Sequence, residues 1–118
     1  MNEFLKQKHE KRIRELDQRF IEAWDDFKKI VEYIRVRYKP VRIYKWGSLL
    51  NRKHFSYISD IDIAIEGIVE PAEYFSMLGE CADLTRFSLD IVQMENIPQI
   101  YQDKIKSKGR LIYERTIA

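Results

Sequence analysis

Trp46-Gly47-Ser48 and, after an eleven-residue connection, Asp60-Ile61-Asp62-Ile63-Ala64-Ile65 form the stretch whose reading decides the fold. The run Val41 to Trp46 is β-branched and aromatic and stops at Gly47, which predicts a strand. Ile61 to Glu66 alternates and is closed by Gly67, which predicts a second strand. Side chains two residues apart on a strand share a face. Ile61, Ile63 and Ile65 therefore share one face, and Asp60 and Asp62 share the other.

An isoleucine face needs an apolar cover, and the sequence on either side supplies one. Residues 3–38 read as one long helix, with Ile13, Leu16, Phe20, Ala23, Phe27, Ile30 and Ile34 spaced alternately three and four apart. Trp24 and Val31 widen this stripe, and no Gly or Pro interrupts it before Pro40. The first third is almost wholly polar. Residues 1–20 are therefore expected to extend beyond the domain, toward a partner or a second copy of the chain. After Gly67, Pro71 opens a helix through Leu84, with Tyr74, Phe75, Leu78 and Cys81 facing inward. Phe87 to Val92 reads as a third strand. Pro98 opens a helix to about Lys108, Gly109 caps it, and Leu111 to Glu114 forms a short last strand. Ser48 to about Lys53 reads as a short helix and residues 54–59 as loop. The expectation is one α/β (α+β) domain over 1–118: a small mixed sheet of about four strands flanked by helices, with a long N-terminal helix over 1–38.

The chain has 118 residues, is 45% hydrophobic and 34% charged, and carries a net charge of +2. That charge argues against nucleic acid and membrane surfaces as partners. Residues 1–40 hold 11 basic and 8 acidic groups, and residues 41–118 hold 10 and 11, so an anion bound in the second part depends on local cations. One cysteine, Cys81, excludes an intrachain disulfide. No run approaches the roughly 20 apolar residues of a membrane span. The charged N-terminus lacks the apolar core of a signal peptide, so the expected location is cytoplasmic.

Asp60 and Asp62 on one face repel, and each raises the other's pKa. A divalent cation removes that cost, and Mg2+ favours a few carboxylates together with substrate phosphates. Asp90, between Leu89 and Ile91, repeats the pattern and joins the pair if its strand lies beside 61–66. Three carboxylates on one face could hold two ions. Gly47 lets backbone approach a phosphate closely. Ser48 adds a hydroxyl at a helix start, where free N–H groups favour an anion. Trp46 reads as core and His54 as a loop histidine.

The Trp46-Gly47-Ser48 and Ser59-Asp60-Ile61-Asp62-Ile63-Ala64-Ile65 pattern resembles the signature of the polymerase-β-like nucleotidyltransferase superfamily. Leu89-Asp90-Ile91-Val92 and the tail Ile97-Pro98 through Lys108-Gly109-Arg110-Leu111-Ile112-Tyr113-Glu114 are similar to its minimal nucleotidyltransferases (MNT). The resemblance implies a nucleotidyltransferase fold in which Gly47 and Ser48 bind triphosphate. Asp60 and Asp62 would bind two Mg2+ ions, and Asp90 would be a third ligand or the base. ATP or another nucleoside triphosphate would be the substrate. Ser59, beside Asp60, joins the binding residues. The 49–59 connection departs from the family in having no glycine and one more residue. Arg52 or Lys53 would there replace the family's arginine on the phosphates. Many such proteins are antitoxins that pair with HEPN toxins, and some transfer AMP to a toxin tyrosine. The resemblance thus implies transfer of AMP from ATP to a HEPN-type toxin or, alternatively, neutralisation of that partner by binding alone.

Overall fold

The computed structural model describes residues 2–116. Helix α1 (Glu3–Arg37) is opened by the Asn2 side chain, which accepts the Leu5 N–H at 2.8 Å. It ends at Tyr38, and Lys39 turns the chain with φ 50° before Pro40. Strand β1 (Arg42–Trp46) follows, then two 3-10 turns at Gly47–Leu50 and Arg52–His54, and β2 (Ile61–Glu66). Helix α2 (Pro71–Ala82), β3 (Leu89–Gln93), a 3-10 turn at Met94–Asn96, α3 (Gln99–Lys108) and β4 (Arg110–Glu114) complete the chain. The mixed sheet with its flanking helices is the expected class.

The sheet order is β3-β2-β1-β4. β1 runs antiparallel to β2 and β4, and β2 runs parallel to β3. One face carries Ile43, Ile61, Ile63, Ile65 and Ile91 and is covered by Ala23, Phe27, Ile30 and Ile34 of α1 and by Met77 and Cys81 of α2. The other face carries Tyr44 and Ala64 and is covered by Ile105 of α3 and by Met94. The period-2 alternation of β2 thus separates a helix-covered isoleucine face from the face that holds the acids.

Several local expectations shift for identifiable reasons. The segment after Ser48 is two 3-10 turns rather than one helix, because Asn51 is extended (φ −147°) and its side chain accepts the Lys53 N–H at 2.9 Å. Such short turns carry little of the dipole that a helix start would bring to an anion. β3 begins at Leu89, since Thr85 bonds both the Phe87 N–H and Asp26 and holds residues 85–88 as a bend. Phe75 points outward and is 67% exposed. Lys45 lies on the isoleucine face only 1% exposed, with its ammonium 3.4 Å from the centroid of the Trp24 ring. Burial, and then the nearby Arg110, hold its pKa below the ordinary lysine value.

The molecule measures 59 × 30 × 26 Å because α1 outruns the sheet. Residues 2–15 are exposed, and burial begins near Leu16. The 52–57 segment reaches back to this half of the helix. Arg52 pairs with Asp17 at 2.5 Å, Tyr57 donates to Glu15 at 2.9 Å, and the Phe55 ring lies 5.3 Å from that of Phe20. Deleting residues 2–12, whose side chains make no hydrogen bond beyond their own segment among the described residues, is expected to move the melting temperature by less than about 2 °C. A larger drop in a thermal melt would show that the extension supports the fold. No helix among the described residues is long and apolar enough to cross a membrane.

Candidate active site

The end of β1 and the start of β2 meet because Trp46 pairs with Asp62 across the antiparallel ladder. Gly47 follows with φ +76°, a conformation glycine tolerates and L side chains rarely adopt. A Cβ at Gly47 would collide with the Asp62 carboxylate oxygen and lie 2.9 Å from its Cγ. The Asp62 carboxylate therefore rests directly on the glycine backbone.

On the other side of β2, the parallel register sets Asp62 opposite Asp90. Neighbouring strands lie about 4.8 Å apart, so two in-register carboxylates on one face are close neighbours. Tyr74 of α2 donates to the Ile91 carbonyl at 2.5 Å and ties β3 down next to Asp90. Asp60 stands two residues before Asp62, just outside the strand. The turn ahead of it is closed by the Ser59 hydroxyl, which accepts the Ser56 N–H at 2.8 Å.

The charge balance of this corner is unusual. None of Asp60, Asp62 and Asp90 has an ion-pair partner among the described residues. Asp62 is half-buried, and its pKa rises from 3.8 to about 6 through burial first, then the Asp90 charge, then the Asp60 charge. Ser48 Oγ is buried and has no hydrogen-bond partner among the described residues, and the same holds for Trp46 Nε1. Unsatisfied buried donors cost stability and so point to a missing partner. An uncompensated acid cluster beside an orphaned hydroxyl suits a hard cation with phosphate oxygens. Among the described residues no three acid, histidine or cysteine side chains close into an ion-binding cluster by themselves. Mg2+ ordinarily completes its shell with water and substrate phosphates, so an open donor set fits its habit.

A cavity of about 620 Å³ opens beside the Gly47–Ser48 turn, between the sheet and α3. Its apolar wall includes Val92, Ile97 and Tyr101, and Trp46 lines it as well as packing in the second core. His54, Lys104 and Lys108 border it. Sequence reasoning passed over Tyr101, Lys104 and Lys108, although two lysines four apart before Gly109 were a usable signal. Arg52 points the other way. Its guanidinium binds Asp17 at 2.5 Å and the Ile13 carbonyl at 3.3 Å.

The fold and this corner define a class: a mixed-sheet domain that sets carboxylates from adjacent parallel strands beside a Gly-Ser turn. Residues 28–118 match the family model "Polymerase beta, Nucleotidyltransferase", and the chain belongs to that family. No curated protein matches the sequence significantly. Among solved structures, a chain of the toxin–antitoxin complex MntA-HepT superposes with TM-score 0.57 at 18% identity, over 76% of this chain and 71% of that one. A toxin–antitoxin structure with AMP-PNP gives TM-score 0.63 at 20% identity, over 75% and 73%. A tri-AMPylated Shewanella oneidensis HEPN toxin in complex with its MNT antitoxin gives TM-score 0.58 at 19% identity, over 79% and 73%. At these identities the likeness establishes the shared fold.

Proposed function

We propose that this protein is a Mg2+-dependent nucleotidyltransferase that transfers AMP from ATP to a tyrosine of a HEPN-type toxin and serves as that toxin's antitoxin. The observation that carries the reading is the in-register Asp62–Asp90 pair abutting Gly47. Likeness to chains from an AMP-PNP structure and from a complex with an AMPylated toxin supports ATP as donor and a HEPN partner as acceptor. In this reading Gly47 and Ser48 hold the triphosphate, and the free Ser48 Oγ gains the partner it lacks. Asp60, Asp62 and Asp90 would hold Mg2+, which supplies Lewis-acid stabilisation of the charge that develops on the phosphates. The tyrosine oxygen attacks the α-phosphorus in line and a new P–O bond forms. The bond to the bridging α–β oxygen breaks, and pyrophosphate leaves. Asp90, exposed at the strand edge, accepts the hydroxyl proton. Ser59 positions Asp60 through the turn that it closes.

The test is transfer of label from α-labelled ATP to the cognate partner in the presence of Mg2+. Label on the partner's tyrosine is expected with the wild type and none above background with Asp60→Ala. Equal labelling by the two proteins would refute the reading.

One observation favours a second reading, in which the fold neutralises its partner by contact. Arg52 is engaged by Asp17, and the connecting loop is fastened to α1 with Ile58 at its tip 91% exposed. Under this reading the double variant Asp60→Ala, Asp62→Ala still protects cells from the toxin. Under the first it does not.

A further inference from the structure

A triphosphate on the Gly47–Ser48 turn beside three aspartates leaves an excess of negative charge even with Mg2+ held there, so further positive charge is needed from the protein. The arginine nearest in sequence, Arg52, is bound to Asp17 on α1. Lys45 is sealed on the opposite face of the sheet beneath Trp24. Lys106, on α3, is directed to Glu66 at 3.9 Å. Lys53 and Arg110 also lack an acidic partner among the described residues but do not line the cavity; Lys104 and Lys108 do. They lie one helical turn apart, so they share a face of α3, and both border the cavity that Gly47 and Ser48 also line. Neither has an acidic partner among the described residues.

Gly109 explains why this end of α3 sits at the turn. A Cβ there would lie 2.9 Å from the Lys45 carbonyl oxygen and 3.4 Å from Trp46 Cβ. The helix can therefore press its last turn against the Lys45 carbonyl, at the end of β1 that leads into Gly47, only because residue 109 lacks a side chain. This close approach brings the carbonyl end of the α3 dipole to the cavity, which by itself disfavours an anion. Two ammonium groups on the same wall reverse that sign. The buried donors Trp46 Nε1 and Ser48 Oγ, both lining the same cavity without partners, independently point to an acceptor-rich ligand.

We propose that Lys104 and Lys108 form the phosphate clamp of this protein, binding the β- and γ-phosphates of the nucleoside triphosphate held at Gly47–Ser48. The inference rests on the nucleotidyltransferase reading above. It assigns to the last helix the role that the connecting loop was expected to fill through Arg52 or Lys53.

The experiment is calorimetric binding of ATP and AMP to the full-length protein with Mg2+, for wild type, Lys104→Gln, Lys108→Gln, both together, and the double Lys→Arg variant. Both lysines are exposed, so the variants are expected to fold as wild type, which circular dichroism checks. Charge-assisted contacts of this kind lead to an expected loss of about tenfold in ATP affinity for each lysine and about 30- to 100-fold for both. AMP affinity should stay within about twofold of wild type, and Lys→Arg should restore most of the ATP affinity. An unchanged ATP affinity in the double glutamine variant overturns the clamp and leaves the nucleotidyltransferase reading standing. An equal loss for AMP and ATP also overturns it, because the lysines would then act on the α-phosphate or the cavity wall. A wild type that binds neither nucleotide overturns both inferences together.

Discussion

Asp62→Asn is expected to give a protein that is more stable than wild type and inactive in transfer. Asp62 is half-buried beside two other carboxylates, and its pKa is raised from 3.8 to about 6 by burial, then Asp90, then Asp60. The folded state therefore binds this proton more tightly than the unfolded chain does. The resulting stability is present below about pH 4, and it is lost as pH rises through about 6. At pH 8 the ionised carboxylate is a net burden on the fold. The rise from 3.8 to about 6 sets a ceiling near 3 kcal/mol, and partial solvent exposure lowers the expected gain to about 1–2 kcal/mol. That gain corresponds to several degrees in melting temperature. Melts with a chelator present should show a difference between variant and wild type that is largest at pH 8, shrinks below pH 6 and closes near pH 4. The same change removes an anionic oxygen from the acid cluster, so transfer should fall by about 1,000-fold or more. A variant no more stable than wild type at pH 8 would mean that the acid cluster carries no strain. This exchange of stability for function is what an active-site charge cluster produces.

Gly47→Ala should damage both properties. At φ +76° an alanine costs about 1–2 kcal/mol relative to glycine. Its methyl would also occupy the position of the Asp62 carboxylate oxygen. The side chain that must move is the one facing Asp90, so the injury reaches the chemistry as well as the fold. A displacement of about 1 Å at a reacting group commonly costs about 100-fold. A melt lowered by several degrees together with transfer reduced at least about 100-fold is the expected pair of results. Wild-type activity in a folded Gly47→Ala protein would show that neither the glycine turn nor the position of Asp62 matters to the reaction.

Much of this was legible in the residues, and the reasons are local. Ile61 to Glu66 alternates with period two, so both the strand and its two faces follow from the sequence. The stripe read from Ile13 to Ile34 has a helical period, and α1 buries Ala23, Phe27, Ile30, Val31 and Ile34 accordingly, while Ile13 lies beyond the sheet and stays exposed. Pro71 marks the helix start, and Gly109 marks the helix end. Where the reading slipped, a side chain competed with the local pattern. Asn51 and Thr85 bond nearby backbone and break what propensity would continue. Phe75 is apolar but falls on the outer side of α2. Lys45 looks like a solvated charge and is instead packed against an indole, which nothing in its neighbours reveals.

For the candidate site, the sequence by itself determined which groups could carry chemistry: a glycine-serine turn after one strand, an Asp-x-Asp on the next and a lone acid on the third. Strand period is a nearest-neighbour property, so it was enough to place Asp60 and Asp62 on one face. Only the tertiary structure decided that β2 and β3 are parallel neighbours, which brings Asp90 level with Asp62. It also turned Arg52 away to Asp17 and set Lys104 and Lys108 on the cavity. Strand order and the docking of α3 depend on contacts between residues far apart in the chain. Such contacts are set by which apolar faces fit together, and local periodicity does not encode that.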